Sequence, residues 1–168
     1  MKKIGLVGHR GDNYMQIRNA TTDDLSVIQR LNHELFLSDN AWNGDLDCDW
    51  PYNEEGEKYF REAIESERYI SVVAEIDGKV IGYLNGFIRK PNGAYLGKRA
   101  EIDNMCVTEM VRGHGIGTAL INEFKKWAKN NDVERIMVEA FSANEKAIAF
   151  YQKNGLSTYA TVLTEEIT

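Results

Sequence analysis

Residues 100–120 limit what this chain can fold into more than any other stretch. An apolar-patterned run, Ala100 to Val107, passes through a short connection into three glycines spaced two apart, Gly113, Gly115 and Gly117. These open an amphipathic segment in which Leu120, Phe124 and Trp127 fall at helical spacing. A helix N-terminus carries backbone N–H groups without partners and a partial positive charge. Glycine lets the main chain wrap closely around an anion, since it lacks a Cβ and tolerates positive φ. Arg112 adds a full charge suited to phosphate oxygens. The segment therefore predicts a phosphate site, and a pyrophosphate before others.

Spacing narrows which one. A P-loop needs Lys and Ser/Thr after its last glycine, and this chain has Thr118 and Ala119. A dinucleotide-binding unit needs G-x-G-x-x-G directly off a strand and an acidic residue on the next one. Glu139 satisfies the second requirement, so an oxidoreductase remains a rival. The glycines are G-x-G-x-G, however, and Thr108 to Arg112 separate them from the strand.

Arg112-Gly113-His114-Gly115-Ile116-Gly117 resembles the Arg/Gln-x-x-Gly-x-Gly/Ala signature of the GNAT superfamily of acyl-CoA-dependent N-acetyltransferases. Asn144, Ala147, Phe150, Tyr151 and Gly155 fall where that family's second motif, Asn-x-x-Ala-x-x-Phe-Tyr-x-x-x-Gly-Phe, would place them. The two motifs occur in order with a strand between them, and the resemblance runs from about Gln16 to the end of the chain. It implies a GNAT-like α/β fold, a mixed sheet flanked by helices, with acetyl-CoA as co-substrate. It also implies that the backbone of Met105, Cys106 and Val107 pairs with the pantetheine arm. The amides and side chains from Arg112 through Gly113, His114, Gly115, Ile116 and Gly117 to Thr118 would then hold the pyrophosphate, with Asn144 and Ala147 completing the cofactor side. Many relatives carry proline where this chain has Glu109, a position that shapes the approach to the glycines.

The element order read from pattern is β-α-α-β-β-β-α-β-α-β. Gln16 to Asn19 is a strand, and Thr21 or Thr22 caps a helix with a Leu25, Ile28, Leu31, Leu35 stripe. A loop from Ser38 to Tyr52 precedes a second helix, Glu54 to Glu67, burying Tyr59 or Phe60. Tyr69–Ile76 and Lys79–Ile88 form a hairpin on Asp77-Gly78. Arg135 to Phe141 is the next strand, and Ser142 with Glu145 starts a capped helix through Lys153 that Gly155 closes. A last strand is expected over Leu156 to Thr164. Residues 15–168 read as one N-acetyltransferase domain, and residues 1–14 as an extension or an expression remnant.

Moving an acyl group from a thioester to an amine requires a neutral amine, a held oxyanion and a proton for the leaving thiolate. An alkyl amine has a pKa of about 10.4, so a carboxylate must relieve it of a proton near neutrality. Glu101 and Asp103 lie two apart on the central strand and share a face if no bulge intervenes. Glu101 sits where many members of the resembled family carry their base, which makes it the first choice, with Asp103 the second and Glu139 on the neighbouring strand the third. The resemblance makes Tyr151 the general acid; otherwise it is a packing residue beside Phe150. No placed nucleophile points to an acyl-enzyme, so direct attack in a ternary complex is expected.

The resemblance implies that the segment joining the first two helices lines the acceptor side of the cleft. From Asp39 to Glu57 the acids Asp39, Asp45, Asp47, Asp49, Glu54, Glu55 and Glu57 occur with no Lys or Arg, interleaved with Trp42, Trp50 and Tyr52. Acids and aromatics together suit a cationic amine, so Asp39, Trp42, Trp50 and Glu139 are substrate-binding candidates. A solvated acidic loop is the competing reading. An amine-bearing acceptor is the expected partner and a second copy of the chain a further one. The net charge of −6 argues against nucleic acid. No run reaches the roughly 20 apolar residues of a membrane span, and a cytoplasmic location is expected. His9, His33, His114 and the two cysteines have no metal-ligand spacing, so no metal is expected. A non-catalytic acyl-CoA sensor is the alternative function.

Overall fold

The structure is a computed structural model and describes residues 4–5, 14–91 and 93–167. One sheet runs in the order β1-β2-β3-β4-β5-β6. Its strands are β1 (Ile4–Gly5), β2 (Tyr14–Asn19), β3 (Tyr69–Ile76), β4 (Lys79–Ile88), β5 (Arg99–Val107) and β6 (Arg135–Val138). Neighbours pair antiparallel as far as β5, and β6 joins β5 in parallel. The expected extension at residues 1–14 lies mostly outside the described residues.

Helices cover both faces. α1 (Leu25–Asp39) and α2 (Glu54–Glu65) pack on one side, where Leu25, Ile28, Leu31 and Phe60 meet Val73, Tyr83 and Cys106. α3 (Ile116–Asn130) lies on the other, setting Leu120, Ile121 and Phe124 on Val72, Leu84, Ala100 and Ile102. The stripe that predicts α3 is thus the stripe it buries, and Phe124 is fully enclosed. Truncating such a ring to alanine costs about 3–5 kcal/mol. α4 (Glu145–Lys153) brings Phe150 and Tyr151 against that same cluster.

The hairpin keeps its predicted bounds because Asp77 (φ 50°) and Gly78 (φ 75°) both take the left-handed conformation of a tight two-residue turn. Asp24 ties the start of α1 to the sheet: its carboxylate accepts the Thr21 N–H at 2.8 Å and two Arg18 nitrogens at 2.7 and 2.8 Å. Arg18 Nε also donates to Glu75 on β3 at 2.8 Å. Its guanidinium holds both carboxyls below their usual range.

Four expectations are corrected. No strand forms over Leu156 to Thr164, which follows α4 as irregular chain; its β-rich composition finds no ladder partner among the described residues. β6 stops at Val138 instead of Phe141, and α2 stops at Glu65 instead of Glu67. The cap of α4 is Asn144, whose side chain accepts the Ala147 N–H at 3.1 Å, so Ser142 with Glu145 does not form the expected box.

Candidate active site

The site is organised by the parting of β5 and β6. Their last rung is Ile102 with Val138, so Asp103 and Glu139 are the first residues of two diverging chains. Beyond that rung β5 runs on to Val107 paired only with β4, leaving its other edge without a partner strand among the described residues. At the same place β5 bulges. Asn85 pairs with Asn104 and Gly86 with Ile102, so Asp103 is the extra residue. Ala100 and Ile102 face α3, as do Met105 and Val107 after the bulge, whereas Cys106 faces α1 and α2. Glu101 therefore starts on the α1–α2 side, and the bulge adds Asp103 and Asn104 to that side, where both hydrogen-bond Tyr59 of α2.

Glu101 is 9% exposed, and its Oε2 has no hydrogen-bond partner. Arg89 Nε stands 3.2 Å from that oxygen, an ion-pair distance without hydrogen-bond alignment. Burial raises the Glu101 carboxyl, Arg89 opposes this, and Glu139 and Asp103 add to it. Asp103 keeps contact with solvent but is crowded on its inner side, and that burial raises its carboxyl too; Tyr59 pulls it down and Glu139 pushes it up. The charge of Glu139, itself exposed just past β6, thus reaches both other acids, and that of Asp103 reaches Glu101.

The glycine loop lies at the far end of β5. Glu109–Val111 form a short 3-10 turn in place of the proline many relatives carry, and Arg112 Nε donates to the Val107 carbonyl at 2.8 Å, tying the loop back to the strand. Gly113 (φ 82°) and Gly115 (φ 81°) take left-handed conformations, and a Cβ on either would point into open space. A side chain is excluded there by backbone strain rather than by crowding. Gly117 is needed for a different reason: a Cβ on it would come within 2.9 Å of Phe150 Cζ, so the glycine lets α4 close on α3. The first bond after the loop is Ala119 N–H to the Gly115 carbonyl at 3.0 Å, and no side chain caps α3. Its first-turn amides therefore keep the donors that an anion would use.

Other predicted residues divide into those that face the cleft and those that build it. Ile116 is buried in the core and offers only its backbone, and His114 is exposed with Nδ1 donating to the Arg112 carbonyl at 3.0 Å. Cys106 is buried, which lifts its thiol to about 11, so that residue too contributes main chain alone. Asn144 and Ala147 are joined to each other by the cap of α4. Tyr151 packs with Phe150, its hydroxyl makes no hydrogen bond to a described residue, and burial with the charge of Asp39 pushes it up to about 12. Asp39 ends α1, half-buried and raised by burial, and its charge also reaches Tyr83 and Cys106. Trp42 is 47% exposed on the loop after α1. Trp50 stacks on Phe36 and meets Phe60 edge-on and Tyr59 at a tilt, which makes it chiefly a packing residue between α1 and α2. The sequence pattern marks Tyr59 only as a candidate for burial on α2, and Asn32 and Asn104 were not anticipated. Asn32 beside Leu31 in the buried stripe of α1 was the available signal.

The acetyltransferase (GNAT) family profile matches residues 33–156. The chain belongs to the GNAT acetyltransferase family. Among its relatives is the N-alpha-acetyltransferase of Sulfurisphaera tokodaii, 31% identical over 87% of this chain and 81% of that protein. The aminoglycoside N(6')-acetyltransferase type 1 of Klebsiella pneumoniae is 23% identical over 98% of this chain and 84% of its own length. The fold is shared with the aminoglycoside N-acetyltransferase AAC(6')-Iy, solved in complex with CoA, at a TM-score of 0.71 and 19% identity over 96% of this chain and 99% of that one. This GNAT chain is accordingly an acyltransferase of the N-acetyltransferase type. The cofactor side of its site fits CoA on its own geometry: uncapped amides opening α3, open space over Gly113 and Gly115, and a strand edge free from Asp103 to Val107. Among the described residues no helix is long and apolar enough to cross a membrane.

Proposed function

We propose that the chain moves the acetyl group of acetyl-CoA to a cationic primary amine by direct attack in a ternary complex. The reading rests chiefly on one observation: Glu101, Asp103 and Glu139 gather where β5 loses β6, beside the free edge that fits the pantetheine arm. Amides from Gly113 to Thr118 and the Arg112 guanidinium hold the diphosphate. The main chain of Met105 to Val107 aligns the thioester, and an amide freed by the bulge at Asp103 donates to the carbonyl oxygen.

Asp39, Asp103 and Glu139 attract the ammonium, and the raised Glu101 carboxylate takes its proton. A carboxyl lifted by burial is a stronger base than an ordinary one while still ionised near neutrality. The amine then bonds to the thioester carbon, the C–S bond breaks, and Tyr151 supplies the proton to sulfur. A phenol lifted to about 12 holds its proton until a thiolate forms beside it. The proton lost from nitrogen on amide formation restores the phenol.

The relatives' names point to two acceptor chemistries, an α-amine and an aminoglycoside amine. The test is thiol release from acetyl-CoA across peptides with free N-termini, aminoglycosides, polyamines and lysine side chains. Turnover with at least one cationic primary amine, weakened by Glu101→Gln, is expected. Binding of CoA with no turnover on any of them would sink the reading.

A further inference from the structure

Asp103 sits at the end of a polar chain that crosses the α1–α2 side of the sheet. Asn32 of α1 is fully buried, and its Nδ2 donates to the Tyr83 hydroxyl at 2.8 Å and to Asn104 Oδ1 at 3.1 Å. Asn104 Nδ2 donates to the Tyr59 hydroxyl at 3.1 Å and also approaches Asp103 Oδ2 at 3.3 Å. Tyr59 closes the chain by donating its own proton to Asp103 Oδ2. Asn32 Oδ1 is left buried without a partner. An orphaned acceptor of that kind costs stability, so the chain is a poor device for stability alone. Its effect is to fix, from two helices, the two residues of the β5 bulge.

We propose that Tyr59 is a positioning residue for acetyl transfer: acting through Asp103, it sets where the ammonium of the acceptor sits against β5. The inference rests on the reading that Asp103 holds that ammonium. The Tyr59 ring is held for the task by contacts with the rings of Trp50, Phe60 and Tyr69. Its hydroxyl has Asn104 as donor and Asp103 as acceptor, so the direction of the proton is fixed. Burial raises the phenol well above its ordinary value, which keeps it a donor at working pH. The charged and titratable groups facing Asp103 are Tyr59 from α2, Tyr83 from β4, Glu101 from its own strand, with Arg89 beside it, and Glu139 past β6. Of these, Tyr59 alone donates a hydrogen bond to the carboxylate and favours its ionised form.

The test is a double-mutant cycle on the intact chain with Tyr59→Phe and Asp103→Asn, reading kcat, both KM values, the pH profile and Tm. Tyr59→Phe keeps the ring packing and should raise the amine KM about tenfold, the worth of one hydrogen bond to a charged group. The acetyl-CoA KM should not move. The acid limb of kcat/KM should shift to higher pH, because the carboxylate loses a donor that favoured ionisation. In the Asp103→Asn background Tyr59→Phe should add no further loss. Losses that multiply in the double variant, or a lower Tm with an unmoved pH limb, overturn the proposal. If Asp103→Asn lowers turnover and Tyr59→Phe is silent, the inference about Tyr59 fails alone; if Asp103→Asn leaves the amine kinetics intact, the reading of Asp103 fails with it.

Discussion

The two ends of the cleft are built from different materials. At the end of β5 nearest α3, the proposed recognition of CoA would rest on the main chain: uncapped amides, two left-handed glycines and a free strand edge. At the bulge, the proposed recognition of the amine would rest on side chains of β5, α1 and α2 together with the charge of Glu139. A backbone site tolerates change at every position that does not disturb φ or bulk, whereas a side-chain site is altered by any exchange of its carboxylates. Variants at the first end should therefore move the acetyl-CoA KM and leave the amine, and variants at the second should do the reverse.

Glu101→Gln should give the largest effect, a fall in kcat of roughly 10²–10⁴-fold with the acetyl-CoA KM unchanged, since general-base catalysis is worth about that much. The pH profile sharpens the point. The carboxyl must be ionised to accept a proton, and burial raises it. In the native chain kcat/KM should thus fall as pH drops through a value above the ordinary glutamate pKa of about 4.3. In Glu101→Gln that limb should move to the one set by the ionisation of Asp103 alone; an unmoved profile would mean that another group is the base.

Tyr151→Phe comes next. The ring keeps its contact with Phe150, and only the hydroxyl is lost. A fall in kcat of roughly 10²-fold is expected with both KM values unchanged, at the lower end of what a positioned acid supplies. Acceptance of an acetyl thioester with a more acidic leaving thiol should recover most of the loss, because such a group departs without the proton. No recovery would mean that the phenol orients the thioester and does not protonate it.

Gly115→Ala addresses the backbone end. At φ 81° a Cβ meets no neighbour, so the cost is conformational, about 1–2 kcal/mol. If the loop yields to that strain, its amides leave the diphosphate and the acetyl-CoA KM rises about tenfold, with amine KM and kcat preserved. A parallel rise in the amine KM would show that the two ends are not independent.

The same difference in material decides what could be read from the sequence. Backbone devices leave signatures, because glycine, proline, asparagine and aspartate stand where particular conformations are required. Asp77-Gly78 thus fixed the hairpin to the residue, and the three glycines marked the start of α3. What depended on a partner was not legible. Leu156 to Thr164 has strand composition but no neighbour to pair with, and Val138 ends β6 because β5 turns away at the bulge. The bulge leaves one trace, the consecutive polar Asp103 and Asn104 that shift the apolar positions from Ala100 and Ile102 to Met105 and Val107, but where β4 pairs across it is not written in the strand. Side-chain networks are hidden for the same reason: Asn32, Tyr59 and Asn104 meet across 72 residues of chain. Trp50 shows the converse, an aromatic whose place in an acidic stretch suggested a ligand while its ring stacks on Phe36.

The smallest effect, and one with opposing signs, belongs to Asp39. It is the last residue of α1, in a final turn that contains no basic side chain. A carboxylate there opposes the helix dipole, a cost of about 0.3–1 kcal/mol. Burial raises its carboxyl, and a carboxyl raised by folding favours the native state only while protonated. That contribution is complete below the unfolded pKa and is lost as pH rises through the folded one. At neutral pH the chain therefore carries the ionised group at a loss. Asp39→Asn should raise Tm slightly at pH 7, with the gain fading as pH falls and the native carboxyl protonates. If the charge is kept for the acceptor, the same variant should raise the KM of a cationic amine a few-fold, as for a partly screened ion pair of about 0.5–1 kcal/mol, and leave a neutral hydroxylamine-type acceptor unaffected. A gain in Tm with no change in amine KM would confine Asp39 to the end of the helix and leave ammonium recognition to the acids at the parting of β5 and β6.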